Sequence, residues 1–598
     1  MSSSLVARLS SPIRRIDPYI WLVIAFSLFA VLPLAGPDYF FDAHDAPHTA
    51  FYLTEFDAAL RDGVWYPGWA TDQALGYGYP TFVLYPPLAY YVAEGFHLLG
   101  LGKVLAIKWT WALATVGAGL AMYAYARQIM GRQRGLLAAI VYVYVPYHLA
   151  DIYVRAALVE YSAFVFMPLA LLAFHRLVEE VSARRVALAG LAYGALWMTH
   201  NVTGLAFTPI LAAYVLYRLL AEPGSAKAKL GRAAAALGGA LLGLGLSAAL
   251  LLPNLFERIY INQEQWVRAS YDYALHFVYS FQLLSPFWGY GAAGPGPVDG
   301  MSFQLGAVPS ILAVVATLRA FYRPRERSLI LFFAAATALI VFLMLPASAP
   351  LWELLPIAAL VQFPWRLLAL AAVTMAILSG LAIPRPRKAA EASREHSESG
   401  GQRSGLDPRV LVLALVAVLG SFAYTTPQYT PVPESAEGPL MTIEFELKYT
   451  DMRGMTAWTK EFPTDSPLVE QYLAGDSLVT ADALAPGATV EMIRTGGASD
   501  ELWVRSADGT PLQFYTYYFP GWRVYIDGQR LPNSDLRPEP PYGLLTVDVP
   551  AGEHHVLLRW GDTPLRLLGK ALTLLCLALA LFLVVWPSIQ RRRRNASS

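Results

Sequence analysis

Apolar runs close to twenty residues long recur from one end of the chain to the other, and nothing constrains its fold more. A helix needs about 20 predominantly apolar residues to cross a hydrocarbon layer ~30 Å thick, with about 17 as the lower limit. Runs that meet or approach this length begin near Tyr19, Val104, Gly135, Tyr161, Val186, Thr203, Ala233, Phe303, Ser328, Pro364, Val410 and Leu565. Composition agrees: 56% of the 598 residues are hydrophobic and 15% charged, against about 25% charged in a typical soluble domain. One water-soluble core cannot hide that much apolar surface. The expected fold class is a polytopic α-helical membrane protein with about 12 transmembrane helices.

Charge and cysteine narrow the function classes. Lys and Arg number 45 against 44 Asp and Glu, and no basic tract is interleaved with aromatics, so no nucleic-acid partner is expected. The single cysteine, Cys576, leaves no intramolecular disulfide and no cysteine-built zinc or iron–sulfur site. The first apolar run, Tyr19 to Leu34, leads into Gly36-Pro37-Asp38 without a small-x-small pattern, so no signal-peptide cleavage is expected.

Lys and Arg in short loops stay cytoplasmic. Arg14/Arg15, Arg127/Arg132/Arg134, Arg184/Arg185, Lys227/Lys229/Arg232, Arg323/Arg325/Arg327, Arg385/Arg387/Lys388 and Arg591 to Arg594 all fall on one side if there are twelve spans. That places the chain in the cell (inner or plasma) membrane with both termini cytoplasmic. Counting Pro86 to Gly100 as a span would invert every later basic loop. The segment is short and carries Glu94 and His97, so it reads as an interfacial helix, with Tyr90 and Tyr91 at the boundary.

The resulting organisation is a transmembrane domain over 1–384 with a long outer loop at 38–84, a polar Ser- and Gly-rich cytoplasmic linker at 385–409, and a transmembrane helix at 410–424. An extracytoplasmic β-sandwich follows at 425–564, then a last transmembrane helix and basic tail at 565–598. The sandwich is read from period-two alternation: Trp522, Val524 and Ile526 face one way, Arg523 and Tyr525 the other, and Val556, Leu558 and Trp560 repeat it. Asp527-Gly528 is a type I′ hairpin signal. Further strands are expected at 442–449, 491–494, 502–505 and 544–549.

Ionisable residues beside a bilayer are costly, so where they gather is informative. On this topology they gather on the outer face. The first loop carries Asp42, His44, Asp45 and His48; the next has Asp151, Arg155 and Glu160. His200-Asn201 sits at a turn between spans, Glu257 to His276 lines a later loop, and Gln362 and Arg366 flank Phe363-Pro364-Trp365 at a span mouth. A carboxylate beside histidine can act as general base on an acceptor hydroxyl. His44, Asp45 and His48 can alternatively meet a cation, although Pro47 disfavours helix before it and no His-Glu-x-x-His is present. No Gly-x-Ser-x-Gly elbow and no phosphate-binding Gly-x4-Gly-Lys-Ser/Thr loop occurs. Arg155 and Arg366 suit bidentate contacts to a phosphate, or else snorkel or pair with Glu160 and Asp151. His200 and Asn201 either bond a sugar or cap their turn.

At these residues the chain resembles the bacterial YfhO-type, "6-pyruvoyl-tetrahydropterin synthase-related" membrane proteins. The resemblance rests on His44-Asp45-Ala46-Pro47-His48, Phe56-Asp57-Ala58-Ala59-Leu60-Arg61-Asp62-Gly63, Tyr66-Pro67-Gly68-Trp69, Gly76-Tyr77-Gly78-Tyr79-Pro80, Tyr85-Pro86-Pro87-Leu88, Thr199-His200-Asn201 and Gln362-Phe363-Pro364-Trp365-Arg366. Tyr518-Phe519-Pro520-Gly521-Trp522, Asp527-Gly528 and Ala551-Gly552-Glu553-His554 extend it to the C-terminal part. The pterin name finds no soluble pterin enzyme here. The resemblance implies instead the GT-C glycosyltransferase architecture: transfer from a polyprenyl-phosphate-sugar donor to an extracytoplasmic glycan, lipid or protein acceptor. By position it makes Asp45 the loop-one acid, with Asp42 beside it, and Glu160 or Asp151 the second acid. The usual acidic doublet is absent, since His44 stands between Asp42 and Asp45.

On that reading Arg366 and Arg155 meet the donor phosphate, and His44, His48, His200, Asn201, Gln362 and Trp365 contact substrate. No metal ligand is assigned and no cofactor is called for, though a divalent cation is compatible. Tyr515, Tyr517 and Trp522 either bind acceptor or, as we prefer, pack the sandwich core. The competing functions are a non-catalytic sensor or assembly factor and a carrier or flippase for a lipid-linked precursor.

Overall fold

A computed structural model describes residues 17–266, 271–298, 300–384 and 406–596. Arg14, Arg15, Arg268, the Arg385/Arg387/Lys388 cluster and nearly all of the expected 385–409 linker lie outside them.

Each of the twelve apolar runs contains a helix. Seven are long and apolar enough to cross a membrane: Lys103–Met130, Leu158–Glu179, Asn201–Ala221, Pro324–Met344, Pro364–Leu381, Pro408–Thr425 and Pro564–Trp586. Two bent pairs raise the number to nine, Arg132–Tyr144 with Pro146–Tyr153 (40°) and Ala226–Leu246 with Ala248–Phe256 (74°). The first bend has a simple cause. Pro146 has no N–H to continue the helix and forces Val145 into extended backbone at ψ 136°. Helices Pro18–Ala30, Ala183–Thr199 and Ala307–Arg319 are shorter, so length alone supports fewer crossings than twelve. Helix Leu368–Leu381 is buried at every residue and packs against helices Arg132–Tyr144, Ala307–Arg319 and Pro324–Met344. The helix ending the chain turns Leu567, Leu574, Leu575 and Phe582 outward, as a lipid-facing helix does.

The described arginine clusters meet at one end of this bundle. Arg127 and Arg132 both pair with Asp17 (3.1 and 3.3 Å). Arg134 pairs with Glu326 at 2.7 Å and donates to the Ile383 carbonyl. Arg185 pairs with Glu180 at 2.6 Å. Helix ends that are distant in sequence are thereby tied into one charged rim.

The opposite end carries the 38–84 segment and a β-sandwich. Nine strands form it: β1 Ala481–Ala483, β2 Thr489–Thr495, β3 Ser499–Ser506, β4 Thr510–Tyr517, β5 Trp522–Ile526, β6 Gln529–Arg530, β7 Arg537–Glu539, β8 Leu544–Val549 and β9 Gly552–Trp560. One sheet runs β1-β4-β8-β7, the other β2-β3-β9-β5-β6, and every pair is antiparallel. Leu512, Phe514, Leu545 and Val547 from the first sheet meet Leu502, Val504, Val524, Val556 and Leu558 from the second. Asp527 and Gly528 both adopt positive φ (51° and 79°), joining β5 to β6 as the primed turn requires. Tyr517 and Trp522 are buried and Tyr515 half-buried, so the first two pack the core and offer no acceptor surface.

One expected strand is a helix. Residues 442–449 belong to helix Leu440–Lys448, and a second helix, Pro467–Ala474, precedes the first strand. The sandwich therefore begins at residue 481 rather than 425. Apparent alternation at 442–449 misled because Glu446 faces inward. Its carboxylate accepts the Ala74 and Leu75 amides at 2.9 and 2.6 Å, and burial pushes its pKa up to about 7. Ala74 and Leu75 sit at φ 54° and 61°, a strained left-handed pair held in place by that carboxylate.

The 38–84 segment is as much a part of the sandwich as of the bundle. Trp69 is buried against Trp522 and Trp560 (5.3 and 5.1 Å between ring centres), and the Tyr517 amide donates to the Tyr77 carbonyl. Asp62, just past helix Ala46–Arg61, pairs with Arg494 at 2.7 Å and accepts from Ser499 Oγ and the Ala498 amide. Gly497 permits that docking, since a Cβ there would stand 2.4 Å from the Ala58 carbonyl carbon.

Candidate active site

Helix Pro146–Tyr153 and the turn after it set the first layer. Tyr147 and Asp151 are spaced by four within the helix, so they share one face, and the turn after it brings Arg155 to them. Arg155 bonds Asp151, lies 2.9 Å from Glu160 Oε2 and donates to the Tyr147 hydroxyl at 3.1 Å. Tyr147 in turn donates to Glu160 Oε1 at 2.7 Å. All four are fully or nearly fully buried. Buried ions demand this degree of pairing, because an uncompensated charge there costs several kcal/mol, about 3–5.

The mouth of helix Pro364–Leu381 forms a second wall. Arg366 reaches Glu160 with Nε at 3.4 Å and Gln362 Oε1 with Nη1 at 2.9 Å. Its side chain keeps 17% of its exposure where Arg155 keeps 3%. Trp365 lies under the Arg155 guanidinium at 4.7 Å, and Phe363 under that of Arg366 at 4.8 Å. Gln362 at φ 62° and Ala156 at φ 51° are left-handed without being glycine, and such strain concentrates where geometry serves function.

Asp45 closes the arrangement. Its amide donates to the Arg155 carbonyl at 2.7 Å and the His44 amide to the Val154 carbonyl at 3.2 Å. Asp45 occupies the N-cap of helix Ala46–Arg61, the position where an aspartate ordinarily bonds the helix amides. Its carboxylate makes no such bond, and among the described residues it has no hydrogen-bond or ion-pair partner. Its charge acts on Arg155, Asp151, His200, Tyr85 and Tyr271. A half-buried carboxylate (Asp45) thus stands free beside two acids and two arginines that are mutually paired.

The other expected residues separate into two groups. His44 bonds the Gly291 carbonyl through Nε2 at 3.1 Å, and burial lowers its pKa against the pull of Asp45. His48 is set in an aromatic nest of Phe51, Tyr52 and Phe445, its Nδ1 buried without a partner and its pKa lowered by burial. His200 bonds Thr203 Oγ1 at 2.7 Å and interacts electrostatically with Glu160. Asn201, by contrast, is held by Asn254 at 3.2 Å, and Asp42 is exposed, with no hydrogen-bond or ion-pair partner among the described residues. Among the described residues no three His, Cys, Asp or Glu side chains come together in a way that could hold a metal ion. Sequence reasoning missed Tyr147, although its i, i+4, i+8 spacing with Asp151 and Arg155 was there to find.

A family model described as a 6-pyruvoyl-tetrahydropterin synthase related domain, a membrane protein, matches residues 82–431, more than half of the chain. The chain belongs to that family. In this PTPS-related membrane protein the matched stretch contains Tyr147, Arg155, Glu160 and Arg366, while Asp45 and the sandwich lie beyond its limits. No curated protein matches the chain. Among solved structures, arabinofuranosyltransferase AftD from Mycobacteria is similar with a TM-score of 0.44 at 16% identity, covering 75% of this chain and 31% of that one. The Archaeoglobus fulgidus oligosaccharyltransferase gives 0.41 at 12% identity, with 75% and 59% covered. ArnT from Cupriavidus metallidurans, bound to undecaprenyl phosphate, gives 0.31 at 14% identity, with 80% and 97% covered. The chain spans about a third of the length of AftD.

Proposed function

We propose that this membrane protein is a glycosyltransferase that moves a sugar from a polyprenyl-phosphate donor to an acceptor hydroxyl at the end of the bundle bearing the sandwich. The observation that carries the reading is the unpartnered Asp45 carboxylate held against the Arg155 backbone, beside a buried acid–arginine cluster with one semi-exposed cation. A lipid-borne donor cannot leave the bilayer, so its phosphate must be met at a helix mouth, where Arg366 stands. The sugar C1–O bond to phosphate breaks with both electrons going to the phosphate oxygen, whose charge Arg366 offsets. The acceptor oxygen forms the new bond to C1 and its proton passes to Asp45. Arg155, enclosed by Asp151, Glu160 and Tyr147, holds Glu160 in place for Arg366. His44, His200, Gln362 and Trp365 line the approach.

Asp45→Asn keeps size and polarity but cannot accept the proton. It should lower transfer from a polyprenyl-phosphate sugar by at least about a hundredfold, with unchanged melting behaviour and membrane insertion. Full activity in that variant would remove the base from the scheme. Arg366→Ala should weaken donor more than acceptor binding; equal effects would count against a phosphate contact. Mass spectrometry of lipids and surface glycans from a deletion strain tests the reading as a whole, since it requires loss of one specific sugar.

A further inference from the structure

At the foot of the sandwich, where β9 leads into the last helix, lies a cleft of about 410 Å³ lined by Trp65, Arg523, Tyr525, Arg559, Asp562 and Lys570 among others. Its charge is unbalanced. Arg523 on β5 stands directly across from Arg559 on β9 in the sheet register, and like charges at such cross-strand positions repel. The cleft's one acid, Asp562, is engaged by Lys570 at 2.7 Å, and Arg523 takes only the Asp562 carbonyl, at 3.0 Å. Arg559 is exposed and has no ion pair among the described residues. Gly561 leaves room for the Arg523 side chain, whose guanidinium carbon lies 2.5 Å from where a Cβ would stand. Two positive charges therefore face one cleft with no acid paired to either among the described residues.

The setting says what does. Leu567 and Leu568, in the first turns of the apolar last helix, are 54% and 53% exposed. Trp65 is 57% exposed, and the Lys570 ammonium lies 5.2 Å from its ring and 5.1 Å from that of Tyr66. Aromatic rings and cations at the top of a membrane-crossing helix mark headgroup level. We propose that this cleft binds the phosphate headgroup of an anionic membrane lipid, bridging Arg523 and Arg559 and pinning the sandwich to the bilayer. The occupant is lipid because the cleft opens beside leucines that only acyl chains would cover.

Native mass spectrometry of the full-length protein tests this, titrating dioleoyl phosphatidylglycerol, dioleoyl phosphatidylcholine and inorganic phosphate separately. Each arginine near a headgroup is worth about fivefold in lipid affinity. R559Q should thus reduce phosphatidylglycerol binding about fivefold and R523Q/R559Q further, with phosphatidylcholine binding unchanged. R505Q, on the same sheet but already paired with Glu491 and Glu553, should bind as the parent does, and equal melting temperatures exclude misfolding. Undiminished phosphatidylglycerol binding in the double variant, equal preference for phosphatidylcholine, or occupancy by inorganic phosphate without lipid preference would each overturn the proposal.

Discussion

Tyr147 shows how one hydroxyl organises the site. It accepts from Arg155 and donates to Glu160, so it sets the position of both charges. Tyr147→Phe keeps the ring and removes that link, leaving a buried acceptor on Glu160 short of one donor at a cost of about 1–3 kcal/mol. If Glu160 positions Arg366 as proposed, turnover should fall about tenfold while the acceptor KM stays constant; a drop in expression with normal turnover in the surviving protein would make Tyr147 merely structural. At this scale the sequence was half legible. Asp45, Glu160, Arg155 and Arg366 stood out because charge beside apolar runs is rare. Asn201 did not reveal its commitment to Asn254, fifty-three residues away, since partners of that kind depend on how helices meet. Whether a carboxylate caps its helix, as Asp45 does not, is likewise decided by tertiary contacts.

Among elements, the junction of helix Ala46–Arg61 with β2 and β3 carries a pH dependence. Asp500 is buried there, accepting from Thr480 Oγ1 at 2.9 Å. Burial, with the Asp62 charge adding to it, pushes its pKa up from 3.8 to about 7. The folded chain therefore holds this proton up to about pH 7, whereas the unfolded chain releases it near pH 4. Stability from this site is present below that lower value and is lost as pH rises through about 7. The melting temperature should be higher at pH 5.5 than at pH 8, and Asp500→Asn, neutral throughout, should narrow the difference; an unchanged gap would assign it elsewhere. Elements of strong period were readable: β5 and the Val556–Trp560 half of β9 alternate in burial, and Asp527-Gly528 turns as its residue types require. Helix Leu440–Lys448 was not, because an inward glutamate imitates the polar face of a strand. Its true partners, the Ala74 and Leu75 amides, lie some 370 residues earlier.

For the molecule as a whole, the decisive arrangement is that loop, sandwich and acid–arginine cluster share one end while the described arginine clusters tie helix ends together at the other. Trp69 and Tyr77 belong to the sandwich core as firmly as Asp45 belongs to the bundle, so the sandwich cannot drift from the cluster without unpacking the segment that carries the proposed base. Short loops rich in Lys and Arg remain on the cytoplasmic side, which would turn the cluster outward, where the proposed transfer needs its donor and acceptor to meet. Labelling can decide this. With Cys576 replaced by serine, Asp42→Cys and Tyr322→Cys each give one exposed thiol, the first three residues before Asp45 and the second at the arginine-rich rim. In intact cells a membrane-impermeant maleimide should label the first alone, and the second only after permeabilisation. The reverse pattern would turn Asp45 toward the cytosol, out of reach of any surface acceptor, and the proposed transfer would lose its substrate even if every distance in the cluster were right.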